Sequence, residues 1–318
     1  MKTYASPGEL PVGDRRRAIA IGTFDGVHLG HREIIAQAQR LGAARGIPMM
    51  VITFEPHPIA VLRPELKTTV LTPIDLKIEL IAECGVDELL VLPFTPAFSR
   101  IRAERFVDMI ASRPIGAEVV VVGENFRFGA GGVCTADSMR AYGRARGLEV
   151  VSPVIVDSID GKPISSTRIR RLVAEGRLDE AALLLGRPHV VEGNVVHGDQ
   201  RGRALGLPTA NVEPPPHAAI PGKGVYAGRA TTRHGRSIAA INVGVAPTFR
   251  SASGREPARI EAFLLDYAGP DLYGQKIRIE FVTRLRDERR FDDATELVAQ
   301  IQLDIARTRE LAARPLDD

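Results

Sequence analysis

From residue 18 to residue 156, five short apolar runs alternate with stretches of helical periodicity. The runs are AIAIGTF (18–24), MMVITF (49–54), DELLVLPF (87–94), EVVVVG (118–123) and EVVSPVIV (149–156). Between the first two, Ile34, Ile35, Ala38 and Leu41 recur at helical spacing ahead of Gly46. LKIELIAECG (76–85) and the stretches near 103–112 and 136–146 have the same period. Strands that are apolar throughout must be buried on both faces. Alternating with helices, they predict a doubly wound parallel sheet.

The second half changes character after LDEAALLLG (178–186) and Arg187-Pro188. HVVEGNVV, GVYAGRAT, SIAAINVGV, RIEAFLLD and QKIRIEFVTRL read as strands. Turns rich in Gly and Pro separate them, among them PPPHAAIPGKG (214–224). One helix follows at about 293–311, with Leu297, Ile301, Ile305 and Thr308 on one side. The pattern predicts a small closed β-barrel with a terminal helix, and two domains, 1–186 and 187–318.

Composition narrows the partners. Net charge is +3 with a sequence pI near 9.0, but acidic residues are spread throughout. Only Arg15-Arg16-Arg17 forms a basic run, and a run that short reads as a solvated segment. No nucleic-acid partner is expected, and small phosphorylated ligands suit the balance better. No apolar run approaches the length of a membrane span, and the first residues have no apolar leader pattern. Cys84 and Cys134 form no CxxC or Cys/His cluster, so neither a zinc site nor a disulfide framework is expected. The compartment expected is the reducing cytoplasm.

Two segments carry the chemistry. GTFDGVHLGHR (22–32) lies where the first strand hands over to the first helix, the place where doubly wound sheets bind ligands. Helix N-termini attract phosphate through free N–H groups, and Gly22, Gly26 and Gly30 allow close approach. His28 and His31 are three apart, so two imidazoles can face one phosphate chain and donate to its growing charge. GDQRGRALGLPTANV (198–212) spaces Gly198, Gly202 and Gly206 four apart and has no Walker lysine. Thr209 and Asn211 offer hard oxygen ligands suited to Mg²⁺. These residues alone imply two ATP-using phosphate sites on two different folds.

The first segment resembles the HxGH motif of nucleotidylyltransferases. FEPHP (54–58), VVGENFRFG (121–129) and ISSTRIR (164–170) resemble, in order, the further motifs of bacterial FAD synthetases. GxxxGRxLGxPTAN resembles the riboflavin kinase signature, and INVGVAPTF (241–249), IEAFLLD (260–266), DLYGQ (271–275) and LRDERRF (285–291) extend it. The whole chain thus resembles the bacterial bifunctional riboflavin kinase/FAD synthetase family. Pro163 stands where that family often has a basic residue, with Lys162 beside it, and Val245-Ala246 is a mild departure in the second domain.

The resemblance implies that the barrel phosphorylates riboflavin to FMN and that the first domain adenylylates FMN to FAD, releasing pyrophosphate. It implies catalytic roles for His28 and His31, and ATP contacts at Gly22, Thr23, Phe24, Asp25, Gly30, Ser165, Ser166, Thr167 and Arg170. Gly198, Gly202 and Gly206 are expected at the kinase ATP, with Mg²⁺ on Thr209 and Asn211. Flavin contacts are expected at Phe54, Pro56, Asn125, Phe126, Phe128, Arg286, Glu288 and Phe291. The ribityl hydroxyl is a weak acid that needs a base, and the family's catalytic glutamate falls on Glu261. Two rivals stay open: a nucleotidylyltransferase with another acceptor, and a flavin carrier or sensor without turnover. The first would form neither FMN nor FAD; the second would bind flavin without consuming ATP.

Overall fold

The computed structural model describes the chain except for residues 12, 14, 154–160, 199–207, 246–257, 290 and 313–318. It divides into two compact units, Met1–Ser166 and Thr167–Asp318.

The first unit is a six-stranded parallel sheet with strand order β1-β4-β3-β2-β5-β6. The strands are β1 (Lys2–Tyr4), β2 (Arg17–Ile21), β3 (Met49–Glu55), β4 (Glu88–Pro93), β5 (Ala117–Val121) and β6 (Glu149–Val151). Five answer to the apolar runs. The sixth, β1, is a three-residue edge strand paired with β4 (Lys2↔Glu88 to Tyr4↔Leu90). It is too short and too polar to carry a period. Helices α1 (Leu29–Arg45), α2 (Pro58–Leu62), α3 (Ile74–Glu83), α4 (Ala103–Ala111) and α5 (Ala136–Arg144) connect the strands.

Strand alternation divides the core. Ile19, Ile21, Met50, Ile52 and Leu90 pack with Phe106, Val107 and Ile110 of α4 and Met139 of α5. The opposite face takes α1, whose Ile34, Ile35 and Ala38 are buried. A Cβ on Gly42 would lie 3.2 Å from the Ala18 Cβ and 3.0 Å from the Ile47 carbonyl, so α1 rests almost directly on β2. Connections leave β2 toward β3 on one side, while β5 lies on its other side. The crevice between β2 and β5 is therefore the switch point where such sheets bind ligands.

The second unit is a closed six-stranded barrel ordered β10-β11-β8-β7-β12-β9, every pair antiparallel. Its strands are β7 (His189–Val196), β8 (Ala210–Glu213), β9 (Gly224–Thr232), β10 (Gly235–Val245), β11 (Ala258–Leu264) and β12 (Lys276–Arg286). Strand β8 lies within the motif read from sequence as a ligand loop. Tyr226, Ile241, Ile260, Ile279 and Phe281 fill the interior. The terminal helix α8 (Ala294–Ala312) is pinned to the barrel through Arg286–Asp304 at 2.7 Å, and the Arg229 Nε donates to the Ala312 carbonyl at 2.9 Å.

Helices α6 (Ser166–Ala174) and α7 (Leu178–Leu185) precede β7. The division after Ser166 comes earlier than the boundary expected at 186, because both helices are tied to the barrel. Gly222 N–H donates to the Val173 carbonyl at 3.2 Å, and the Thr283 hydroxyl to Asp179 at 3.0 Å. Leu172, Val173, Leu178, Leu184 and Leu185 are buried. A fragment starting at Thr167 is expected to melt cooperatively. One starting at Arg187 should melt lower by about 5–10 °C or more, since it leaves uncovered the barrel surface under several buried leucines. Equal melting by circular dichroism would show that the helices contribute nothing to the barrel.

Candidate active sites

At the end of β2 the chain turns sharply. Phe24 (φ 48°) and Val27 (φ 40°) are both left-handed and fully buried, and Gly26 has φ 92°. A β-branched residue at positive φ is rare, and such a residue costs about 1–3 kcal/mol unless its surroundings hold it. They do hold it. The buried Asp25 carboxylate accepts from Leu71 N–H at 2.8 Å and Thr72 N–H at 3.1 Å. The Thr72 hydroxyl accepts from Gly26 N–H at 2.9 Å. Thr53 Oγ1 donates to the Thr23 carbonyl at 3.1 Å, and Ser166 Oγ to the Asp25 carbonyl at 2.8 Å.

The turn delivers His28 as the N-cap of α1, its Nδ1 accepting from His31 N–H at 3.3 Å. With Nδ1 an acceptor, a neutral His28 carries its proton on Nε2 and can donate there. The two imidazoles stack, with centroids 3.6 Å apart and an interplanar angle of 17°. Phe24 meets His31 edge-on at 5.3 Å. Two parallel imidazoles at the mouth of a helix, beside the switch point, form a compact donor set for an anion.

Phe24 and Asp25 were expected at ATP. Both side chains are wholly buried, and the Asp25 carboxylate braces the loop through the backbone of residues 71 and 72. Sequence reading missed the group below them. Lys77 of α3 is buried, and burial lowers its ammonium pKa from the ordinary lysine range; the Asp25 and Glu55 carboxylates oppose that shift. It shares a helical face with Leu80, Ile81 and Cys84, so its burial was legible from spacing.

The loop after β5 leaves the sheet on the other side of the switch point and carries the exposed Asn125. Phe126 is half-buried and stacks on Phe128 at 5.8 Å and 18°. Phe54 and Phe128 belong to the core, packed with Phe94, Phe98 and Phe106. Of the three phenylalanines expected at flavin, Phe126 keeps exposed surface; Pro56 is exposed at the end of β3. Ser165 and Ser166 are half-buried. Thr167 and Arg170 are counted with the second unit, and Arg170 Nη2 donates to Thr167 Oγ1 at 3.2 Å.

In the barrel, Thr209, Asn211, Tyr267 and Tyr273 line a cavity of about 280 Å³ with Val195 and Leu264. His197 stacks on Tyr273 with centroids 3.9 Å apart. A Cβ on Gly198 would sit 2.3 Å from Asn211 Nδ2, so only glycine lets the chain pass that carboxamide. Gly202 and Gly206 lie outside the described residues. Asn211 on β8 and Glu261 on β11 are cross-strand partners, so their side chains share a face. Arg259 lies between them: Nε and Nη2 donate to Asn211 Oδ1 at 3.0 and 2.8 Å, and Nε is 2.8 Å from Glu261 Oε1. Arg259 and the two tyrosines had not been expected; DLYGQ was the available signal for Tyr273.

Near the end of β12, the Arg286 guanidinium is held by Asp304, with Nε and Nη2 at 3.0 and 2.7 Å. It is therefore engaged by the terminal helix rather than turned wholly to a ligand. Glu288 is exposed, and its Oε1 is 2.7 Å from where a Gly244 Cβ would be. Phe291 is flanked by the Arg289 guanidinium at 4.5 Å.

Comparison with known proteins places the chain in a family. The FAD synthetase family model matches residues 11–168, and the riboflavin kinase model matches 185–312. A Listeria monocytogenes bifunctional riboflavin kinase/FMN adenylyltransferase is 36% identical over 306 residues, covering 95% of this chain and 94% of that protein. The Bacillus subtilis protein of the same name is 36% identical over 294 residues, covering 91% and 90%. Among solved structures, a Streptococcus pneumoniae protein described as a macrolide-efflux protein superposes with a TM-score of 0.82. It shares 31% identity over 96% of this chain and 98% of its own. Among the described residues no helix is long and apolar enough to cross a membrane. Two family models in the expected order, with relatives matched over almost their full length, make this chain a member of the bifunctional riboflavin kinase/FMN adenylyltransferase family.

Proposed function

We propose that the two reactions of the family run at the two constellations described: adenylyl transfer at His28 and His31, and riboflavin phosphorylation at Thr209, Asn211 and Glu261. The observation that carries the first is the stacked imidazole pair capping α1 beside the switch point. The FMN phosphate is largely dianionic near neutral pH and needs no base. One of its oxygens attacks the α-phosphorus of ATP, and the bond to the bridging oxygen breaks to release pyrophosphate. His28 and His31 donate to the phosphate oxygens as charge grows, and the N–H groups opening α1 add their field. Asn125 and Phe126 are the contacts for FMN, and Ser165 and Ser166 take part at the nucleotide.

In the barrel, Glu261 takes the proton of the ribityl 5′-hydroxyl. The freed oxygen attacks the γ-phosphorus, and the bond to the β-bridging oxygen breaks to leave ADP. Thr209 and Asn211 suit Mg²⁺: both are hard oxygens on one cavity wall, and Mg²⁺ commonly takes only one or two protein ligands beside phosphates and water. Bound there, the ion offsets charge on the transferring phosphoryl group. Tyr267 and Tyr273, the latter stacked on His197, give the cavity flat surfaces of the kind a nucleotide base stacks on. Both substrates are small molecules; no nucleic-acid or membrane partner enters the scheme. Cys84 and Cys134, both present as thiols, suit a reducing cytoplasm.

Chromatography of products tests the whole reading. Riboflavin with ATP and Mg²⁺ should give FMN and then FAD, and supplied FMN should give FAD with pyrophosphate. Chelation of divalent cations should stop FMN formation. Persistence of FMN synthesis without any divalent ion would remove the metal from the kinase step.

A further inference from the structure

Asn211 and Glu261 are the oxygen pair on which the kinase reading rests, and a third group already holds both. Arg259 stands two residues before Glu261 on β11, so the two side chains share a face of the strand. Its Nε and Nη2 both donate to Asn211 Oδ1, at 3.0 and 2.8 Å. A carboxamide oxygen has two lone pairs, and these two bonds engage both. The Nε lies 2.8 Å from Glu261 Oε1 as well. The Asn211 carbonyl therefore has no lone pair to offer a metal while Arg259 stays where it is. A Cβ on Gly198 would meet the same carboxamide at 2.3 Å, so the chain runs close beside Asn211 on this side.

The guanidinium has somewhere to go. Its partner across the next strand is Gly244, which presents no side chain. The Glu288 carboxylate approaches that gap, 2.7 Å from the position of a Gly244 Cβ. A second carboxylate thus stands on the same face, one strand further from Asn211.

We propose that Arg259 is a positioning residue, the resident cation of the kinase site, and that a divalent metal gains Asn211 only in exchange for it. The proposal rests on the reading of Asn211 as a metal ligand. Before exchange Arg259 keeps Asn211 and Glu261 aligned and neutralises the carboxylate. On exchange it turns toward Glu288, and the incoming ion supplies the positive charge it withdraws. The metal requirement of the kinase step is then set by this competition as well as by the ligands.

The test is Mn²⁺ binding in the presence of ADP, followed by electron paramagnetic resonance on the full chain. The component lost in Asn211→Ala reports the barrel. In Arg259→Met that component should tighten by roughly ten-fold or more, because charge-assisted hydrogen bonds no longer have to be broken. Arg259→Lys keeps a charge but not the two-toothed fork, so it should tighten the component by a smaller factor. Circular dichroism checks that both variants fold, and Arg259→Lys decides if Arg259→Met does not. Unchanged or weaker Mn²⁺ binding in the folded variants overturns the exchange while leaving the metal site standing. If Asn211→Ala removes no component, the metal assignment itself fails, and the exchange falls with it.

Discussion

Replacing Glu261 with Gln slows riboflavin phosphorylation by about 10²–10⁴-fold, the usual contribution of a general base, and leaves FAD synthesis from supplied FMN near wild type. The substitution keeps the shape of the side chain and its place opposite Asn211 on β8. It removes the negative charge that Arg259 meets at 2.8 Å and, with it, the base proposed for the ribityl proton. The side chain is about 31% exposed, open enough to reach a substrate and close enough to the strand to be held in place. The measurement is initial FMN formation at saturating ATP and Mg²⁺. A rate within a few-fold of wild type would make Glu261 structural and put the base elsewhere.

His31→Ala is expected to have the opposite pattern. FAD formation falls by about 10²–10³-fold, the cost of losing one preorganised donor to transition-state charge, and FMN formation is unaffected. His31 is a good probe because its backbone N–H, not its ring, completes the cap on His28. The start of α1 should survive the loss of the imidazole, although one stacked partner of His28 and the edge contact to Phe24 go with it. Full FAD synthesis by the variant would remove His31 from the reaction. Loss of both activities would instead point to a folding defect.

The architecture was legible wherever burial imposes a period. Strands β2 to β6 are apolar because helices cover both faces of the sheet, and α1 shows its buried stripe at Ile34, Ile35 and Ala38. Strand β1 was not legible, since three edge residues need no pattern to pair. Strand β8 was hidden inside PTANV, where residues that suit a loop also suit a short strand at a ligand site. The helices before β7 look like the end of the first domain when read along the chain. Only tertiary contacts such as Thr283 to Asp179 assign them to the barrel.

Within the sites, residue types were legible and exposure was not. FEPHP and VVGENFRFG supply three phenylalanines, and nothing in the letters distinguishes the buried Phe54 and Phe128 from the half-exposed Phe126. Asp25 sits in the motif, and nothing in the letters shows that its buried carboxylate accepts from the backbone of residues 71 and 72. Arg259 was lost among 42 Lys and Arg residues, of which only 6 are Lys. Its importance lies in a geometry across strands that no linear spacing records.

The Ser166 hydroxyl reaches the Asp25 carbonyl across 141 residues of chain. Contacts of such separation carry a large closure entropy and form late. During synthesis the histidine turn therefore emerges long before its last tether does. A nascent chain halted before residue 166 has both histidines and most of the sheet. It lacks one of the bonds that holds the turn in its left-handed conformation, and the turn is freer to relax toward ordinary backbone angles. The residues proposed for phosphorylation, Thr209, Asn211 and Glu261, are all made only after the first unit has left the ribosome. Adenylyl transfer and phosphorylation thus mature in the order of the chain, which is the reverse of the order in which the flavin meets them.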